Sequence, residues 1–169
     1  MNKQIKYIIF SGPIGSGKTT QMYYLASKQK RFTVVDSLDP VNHKDFSICL
    51  KELGLPDAYA YYELRSDSEN INTYEKLTKE HGVLVIILIP RLFEICEKRI
   101  IEEQRLGGRD KDQRGLCLYD FTQAIKTYRD FKYFTACVNL NIENVEITEE
   151  DSILSVNKKI ESIMKKYGV

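Results

Sequence analysis

Residue types that commonly build metal sites or disulfide frameworks are scarce in this chain of 169 residues. It has no tryptophan, two histidines and four cysteines. His43 and His81 lie too far apart in sequence to give a metal-ligand spacing, so both are expected at the surface. The cysteines form no Cys-x-x-Cys pair, which indicates buried thiols in a reducing compartment; they are Cys49, Cys96, Cys117 and Cys137.

An excess of one charge and a long apolar run are also absent. The 25 basic and 24 acidic residues leave a net charge of +1, whereas dedicated nucleic-acid or membrane-surface binders normally carry a basic excess. The longest apolar run, VLVIILI at 83–89, has the length of a strand and is too short to span a membrane. The N-terminal segment has too short an apolar run for a signal peptide. We therefore expect one cytoplasmic domain over residues 1–169, without membrane or nucleic-acid partners.

Strand-like and helix-like segments alternate along the chain. Apolar and β-branched runs predict five strands, at 6–10, 31–37, 58–66, 83–90 and 137–142. Helical spacing and capping residues predict helices at 18–29, 43–55, 68–82, 92–106, 118–134 and 150–168. The continuous apolar run at 83–90 is typical of a parallel strand that is covered on both faces. The alternation predicts an α/β fold with a five-stranded, mainly parallel sheet flanked by helices.

The sequence GPIGSGKT, from Gly12 to Thr19, matches the pattern G-x-x-x-x-G-K-[S/T] between a predicted strand and a predicted helix. The glycines let the backbone wrap closely, so that its N–H groups point at phosphate oxygens, and the helix N-terminus adds partial positive charge. Lys18 is expected to reach the β- and γ-phosphates of ATP or GTP, and the Thr19 hydroxyl to bind Mg²⁺. The predicted nucleotide-binding residues of this loop are Gly12, Ile14, Gly15, Ser16, Gly17, Lys18, Thr19 and Thr20.

Motifs that would assign this loop to a switch protein or a motor are missing. The chain has no N-K-x-D motif for base recognition by a GTPase. The strongest predicted strand ends at Pro90, without the Walker B carboxylate of motors and AAA-type ATPases. Small kinases of this fold use a different layout, with acidic residues after strands two and three and an arginine-rich lid. A kinase would therefore be indicated by acidic residues and an arginine-rich segment at those places in this chain.

Candidate acceptor-side residues follow the second and third predicted strands. Asp36 and Asp39 come after the second strand, at the edge where ligands bind in open α/β sheets. Arg65 comes after the third strand and could clamp a phosphate group. The alternatives are an Asx-type turn without chemistry at the two aspartates and a solvated surface position for Arg65.

The charged segment over residues 99–116 has the composition of an arginine-rich lid. Gly107 and Gly108 would give it flexibility, and closure would expel water from the site. Guanidinium groups could then stabilise charge on the transferred phosphoryl group; the candidates are Arg99, Arg105, Arg109 and Arg114. Arg105 and Arg109 are also predicted to bind the nucleotide. The alternative is a solvated, charged helix end.

Together these motifs resemble the deoxynucleoside kinase family, which is related to the thymidylate kinases. GPIGSGKTT is similar to the family's phosphate loop, LDPV to its Glu-Pro-Val element, and LRSDS to its Glu-Arg-Ser element. GGRDKDQRGLCLYDF resembles its lid and the start of the next helix, and VEITEED resembles the segment that packs near adenine. The resemblance spans nearly the whole chain. It implies a P-loop kinase that uses ATP and Mg²⁺, and a homodimer.

The same resemblance assigns individual roles. Asp39 stands at the position of the catalytic base, and Arg109 at the second lid arginine. The catalytic residues that it implies are Asp39, Lys18, Arg65 and Arg109. Asp39 is one methylene shorter than the family's glutamate, and about seventeen residues separate Pro40 from the third strand. That length has room for one helix where the family has two, which implies a smaller acceptor site or one completed by a partner subunit.

The chemistry of phosphate transfer separates the candidate acceptors. A nucleoside presents a hydroxyl group, which needs a positioned carboxylate base. A nucleoside monophosphate presents a dianion, which needs arginines and no base. Asp39 therefore favours the 5′-hydroxyl of a (deoxy)nucleoside as acceptor. The alternatives are a thymidylate-like nucleoside monophosphate kinase, a degenerate nucleotide-binding protein with a regulatory role, and a kinase acting on nucleic-acid 5′ ends.

Overall fold

The computed structural model of the chain describes residues 4–29, 31–35, 58–61, 79, 82–107, 118–126 and 141–169. These ranges contain both strands and helices. The elements are β1 (Ile5–Ser11), α1 (Lys18–Lys28), β2 (Thr33–Val35), β3 (Ala58–Tyr61), β4 (Gly82–Pro90), α2 (Phe93–Arg105), the helical residues 118–126 (α3), β5 (Asn141–Ile147) and α4 (Ile153–Lys166).

The described strands form one sheet in the order β2-β3-β1-β4-β5, and every neighbouring pair is parallel. β1 lies in the middle, where Ile8 is opposite Tyr59 of β3 on one side and Leu84 of β4 on the other. From β1 the chain crosses to the edge strand β2, comes back inward to β3, and then passes to β4 and β5 on the other side of β1. The strand order thus reverses at β1, and open α/β sheets bind ligands beyond the carboxyl end of such a strand.

The central strands are buried on both faces. Ile8 and Phe10 lie in the same core cluster as Leu84 and Ile86, and that cluster also takes in side chains of α1 and α4. Val85, which has the opposite orientation along β4, is fully buried as well. Burial on both faces explains the continuous apolar sequences of β1 and β4.

Helix α1 is fixed against α4 by polar contacts as well as by the core. Gln21 Nε2 donates to the carbonyl of Ile153 at 3.0 Å. Two turns later, Lys28 Nζ donates to Asn157 Oδ1 at 3.3 Å and to Glu161 Oε1 at 3.0 Å. These contacts at both ends of α1 hold the helix that carries the candidate phosphate loop.

The predicted α/β class is confirmed by the presence of helices together with strands that all pair in parallel. The predicted fifth strand, at 137–142, overlaps β5 at residues 141–142 but ends too early, because β5 runs from Asn141 to Ile147; residues 137–140 lie outside the described residues. The sequence NIENVEI has little apolar character, and only Val145 and Ile147 are buried in this strand. Pairing with β4, from Leu84 opposite Asn141 onward, defines this strand. The predicted helix at 43–55 lies outside the described residues, as does nearly all of the one at 68–82.

Within the described ranges, no helix combines the length and the apolar character that a membrane crossing requires. The buried thiol expected at Cys96 is present, with no exposed surface on that residue. The other three cysteines and both histidines lie outside the described residues.

Candidate functional site

The loop between β1 and α1 turns sharply at three glycines. Gly12, Gly15 and Gly17 have φ angles of +150°, +78° and +91°, which L side chains rarely adopt. The N–H of Ser16 donates to the carbonyl of Pro13 at 3.1 Å and closes a turn inside the loop. This backbone path brings the chain from the centre of the sheet directly into the first turn of α1.

Close packing against two other elements also requires glycine in this loop. A Cβ atom on Gly12 would lie 2.6 Å from the carbonyl oxygen of Leu88 in β4. A Cβ atom on Gly15 would lie 2.8 Å from the carbonyl oxygen of Cys96 in α2. Distances under 3.0 Å to main-chain atoms leave no room for a side chain. The shape of the loop is therefore fixed by its neighbours as well as by its own conformation.

Lys18 begins α1 and its side chain turns back along the loop. Its Nζ donates to the carbonyls of Gly12 at 2.7 Å and Pro13 at 2.8 Å. The ammonium group is thereby held beside the loop backbone, close to the N-terminus of α1. Gly17 caps that helix without a side chain, and Thr19 and Thr20 lie exposed in its first turn. The partial positive charge of a helix N-terminus adds to that of Lys18 and makes the region favourable for an anion.

Arg99 reaches the loop from α2. Its Nη1 donates to the carbonyl of Ser16 at 2.6 Å and to the carbonyl of Gly15 at 3.2 Å. The sequence placed Arg99 in a lid that closes over phosphates. In the structure its guanidinium holds main-chain oxygens of the loop, and its predicted part in a lid stays a prediction.

Asp120 contacts the loop from α3, and sequence reasoning assigned it no role. Its Oδ2 accepts the N–H of Ile14 at 2.9 Å. Phe93 and Phe121 join α2 to α3 through an edge-to-face ring contact, with centroids 5.7 Å apart and planes at 63°. Both rings pack with Ile14 against the buried side chains of α2. Polar and apolar contacts therefore join the loop to both helices.

The turn between β5 and α4 lies at the same edge of the sheet and is organised by Asp151. Its carboxylate accepts hydrogen bonds from the N–H of Thr148 at 2.8 Å, from Ser155 Oγ at 2.8 Å and from Lys159 Nζ at 2.7 Å. Burial alone would raise the pKa of Asp151, but the hydrogen bonds from Lys159, Thr148 and Ser155 outweigh it and hold the pKa well below its usual range. The carboxylate therefore stays ionised and fixes the turn.

The structure brings the predicted loop residues together and places part of the predicted lid. Residues 99–105 of that segment form the last turns of α2, and 108–116 lie outside the described residues. Arg105 is well exposed and pairs with Glu102 at 2.6 Å. The predicted nucleotide contacts of Arg105 and of the loop stay predictions. Asp36, Asp39, Arg65, Arg109 and Arg114 lie outside the described residues, so their roles stay predictions as well.

Metal binding through a preformed cluster finds no support in the described part of the chain. There, no three His, Cys, Asp or Glu side chains gather closely enough to hold an ion. The predicted contribution of the Thr19 hydroxyl to an Mg²⁺ site remains a prediction.

Comparison with solved structures places this geometry in a known fold. Over 95% of this chain and 99% of the other, it is similar to a deoxyadenosine kinase from M. mycoides with the products dCMP and dCDP bound, at 15% identity and a TM-score of 0.57. A shikimate kinase from Acinetobacter baumannii in complex with shikimate is similar over 97% of this chain and 95% of the kinase chain, at 17% identity and a TM-score of 0.59. A thymidylate kinase from Candida albicans is similar over 98% of this chain and 93% of the kinase chain, at 14% identity and a TM-score of 0.54.

The glycine-rich loop at the carboxyl end of the central strand and these matches show that the chain has the P-loop kinase fold. At the level of the fold, they confirm the resemblance to deoxynucleoside and thymidylate kinases that the motifs indicate. No protein-family model matches the sequence. No curated protein matches it either.

Proposed function

We propose that this protein is an ATP-dependent phosphotransferase that moves the γ-phosphate of Mg-ATP to the 5′-hydroxyl of a (deoxy)nucleoside. The phosphate loop is the observation that carries the proposal. Gly12, Gly15 and Gly17 hold a tightly wrapped backbone, and Lys18 lies alongside it at the N-terminus of α1. A loop of this shape binds the phosphates of a nucleoside triphosphate.

The residues of the loop fit a bound triphosphate chemically. The Lys18 ammonium has three donors and a flexible stem, so its bonds to the carbonyls of Gly12 and Pro13 can be exchanged for bonds to phosphate oxygens. Thr19 is exposed in the first turn of α1, where its hydroxyl would hold Mg²⁺ together with phosphate oxygens. The ion would neutralise charge on the β- and γ-phosphates.

The sheet topology supports an acceptor site beside the loop. β1, β2 and β3 are parallel, so the chain leaves β2 after Val35 and β3 after Tyr61 at the edge that carries the loop. Asp39 follows β2 by four residues and Arg65 follows β3 by four. We propose Asp39 as the base that takes the proton of the 5′-hydroxyl, and Arg65 and Arg109 as groups that stabilise charge on the transferred phosphoryl group.

A nucleoside monophosphate is the second candidate acceptor. The thymidylate kinase from Candida albicans shares the fold, which favours this candidate. Its chemistry requires arginines that hold a dianion and leaves Asp39 without a role as base. Because a shikimate kinase shares the fold as well, shikimate belongs among the acceptors to be tested.

The experiment is a measurement of ADP release from Mg-ATP with separate panels of nucleosides, nucleoside monophosphates, shikimate and 5′-hydroxyl oligonucleotides. Lys18→Ala, in which the loop lacks its cation, is the blank. We expect release that depends on nucleosides. Release with monophosphates alone, shikimate alone or oligonucleotides alone would contradict the proposed acceptor. Binding of ATP without turnover on any panel would instead support a regulatory nucleotide-binding protein.

A further inference from the structure

We propose that Arg99 is a positioning residue that orients the N–H of Gly17 toward the phosphates from the opposite side of the loop. This inference rests on the proposed function, because it assigns a role in binding the phosphates of the nucleotide. Its starting point is the pair of hydrogen bonds from Nη1 to the carbonyls of Ser16 and Gly15, at 2.6 and 3.2 Å.

The geometry of the peptide bond connects these carbonyls to the N–H groups of the loop. In a planar trans peptide, the C=O and the following N–H point in opposite directions. The Ser16 carbonyl points at Arg99, so the N–H of Gly17 faces away from Arg99, toward the other side of the loop. The Gly15 carbonyl also points at Arg99, and the N–H of Ser16 on the same peptide donates to Pro13. One guanidinium group therefore sets the orientation of two successive peptide planes.

The close approach of Arg99 depends on the absence of a side chain at Gly17. A Cβ atom there would lie 2.7 Å from Nη1 of Arg99. Gly17 thus serves two purposes, because it adopts a φ of +91° and leaves space for the guanidinium. The loop and α2 are complementary at this point.

Helix α2 holds Arg99 in place through its neighbours. Cys96 lies one turn earlier on the same face of the helix and is fully buried, against Gly15. Ile100 is also buried, in the cluster that includes Ile14. Because this face is packed against the loop, the guanidinium is presented from a fixed support.

The charge of Arg99 strengthens this arrangement. Hydrogen bonds from a guanidinium to carbonyl oxygens are stronger than bonds between neutral groups. Polarising a peptide through its oxygen also makes its N–H a better donor, since hydrogen bonds in chains reinforce one another. The N–H of Gly17 is therefore both aimed and strengthened by a residue that does not itself face the phosphates.

The test compares the affinities of ADP and pyrophosphate for the wild-type protein and for Arg99→Ala and Arg99→Lys by calorimetry. Lys98→Ala is the matched control, because it removes the same charge from an exposed neighbouring position on α2. We expect Arg99→Ala to bind both ligands about tenfold more weakly or worse, Arg99→Lys to lie between it and the wild type, and Lys98→Ala to bind like the wild type. Added methylguanidinium should restore part of the affinity of Arg99→Ala.

Thermal unfolding of each variant separates positioning from a general structural role. If Arg99→Ala is too unstable to be assayed, Arg99→Lys carries the test. Affinities of both variants within twofold of wild type would overturn the inference and leave the proposed function standing. A loss of affinity that methylguanidinium does not restore and that follows a matching loss of thermal stability would overturn it as well. A wild-type protein that binds neither ADP nor pyrophosphate would overturn the proposed function and the inference together.

Discussion

Ile14 and Asp120 are joined by a 2.9 Å hydrogen bond between a loop N–H and a carboxylate, although 106 positions separate them in sequence. With Arg99, this contact means that the phosphate loop is held from α2 and from α3 through its main-chain atoms. The loop is thus one part of a three-element unit, and substitutions in the two helices should affect it.

The Asp120 contact should contribute measurably to stability. Asp120→Ala leaves the partly buried N–H of Ile14 without its acceptor, so we expect the free energy of unfolding to fall by about 1.5–3 kcal/mol. Asp120→Asn keeps an uncharged acceptor and should lose about half as much. Gln123→Ala, at an exposed position of α3, is the control and should change stability by less than ~0.5 kcal/mol. Urea unfolding measures the free energy of unfolding of all three variants. Equal losses for Asp120→Ala and Gln123→Ala would show that the hydrogen bond makes no net contribution to stability.

Substitution of Gly15 separates loop packing from loop conformation. Gly15 and Gly107 have nearly equal φ angles, +78° and +79°, but a Cβ atom on Gly107 meets nothing within 4 Å. Gly107→Ala should therefore lower the free energy of unfolding by only about 1–2 kcal/mol, the cost of placing an L side chain in the left-handed conformation. Gly15→Ala adds the 2.8 Å contact with the Cys96 carbonyl, so it should cost at least ~1 kcal/mol more and should weaken ADP binding. Thermal unfolding compares the stabilities of the two variants. Similar losses of stability would mean that α2 shifts to make room for the extra methyl group.

Asp39 is predicted to act on the rate of phosphate transfer and not on nucleotide binding. Asp39→Asn should lower kcat by about 10²-fold or more with a nucleoside acceptor, because the 5′-hydroxyl loses its base. The KM for ATP should stay near the wild-type value. Asp36→Asn, three positions earlier, tests the other candidate carboxylate after β2. Steady-state kinetics decide between them; a wild-type kcat in Asp39→Asn, or a larger loss in Asp36→Asn, would remove Asp39 from this role.

The Asp151 turn should make stability depend on pH. The pKa of Asp151 in the folded protein is held below its unfolded value of about 3.9, so its contribution is present above that value and is lost as pH falls toward the folded pKa. Asp151→Asn should be less stable than wild type by about 1–2 kcal/mol at pH 7. The difference should shrink below about pH 4. Urea unfolding from pH 7 to 3 tests this, and a constant difference would mean that the charge of Asp151 contributes nothing.

Local patterns were enough to predict the centre of the sheet and the phosphate loop. β1 and β4 are continuous apolar runs because both their faces are buried, and the loop motif consists of neighbouring residues. Residues 143–147 of β5 were missed because pairing with β4 defines the strand, while its own sequence has little apolar character. The contacts of Arg99 and Asp120 go to main-chain atoms of the loop, and every residue has those atoms. No residue-type pattern in the sequence could therefore indicate these contacts.

The hydrogen bonds from α2 and α3 to the phosphate loop have a consequence for folding during synthesis on the ribosome. Translation produces the loop well before Arg99 and Asp120. On one side, β1 also cannot pair until β4 has been synthesised. Contacts between distant positions form only when both segments have emerged. A nascent chain stalled before residue 120 would carry the complete motif without the supports that shape it. The proposed binding of phosphate should therefore arise late in synthesis, well after the loop sequence itself has been translated.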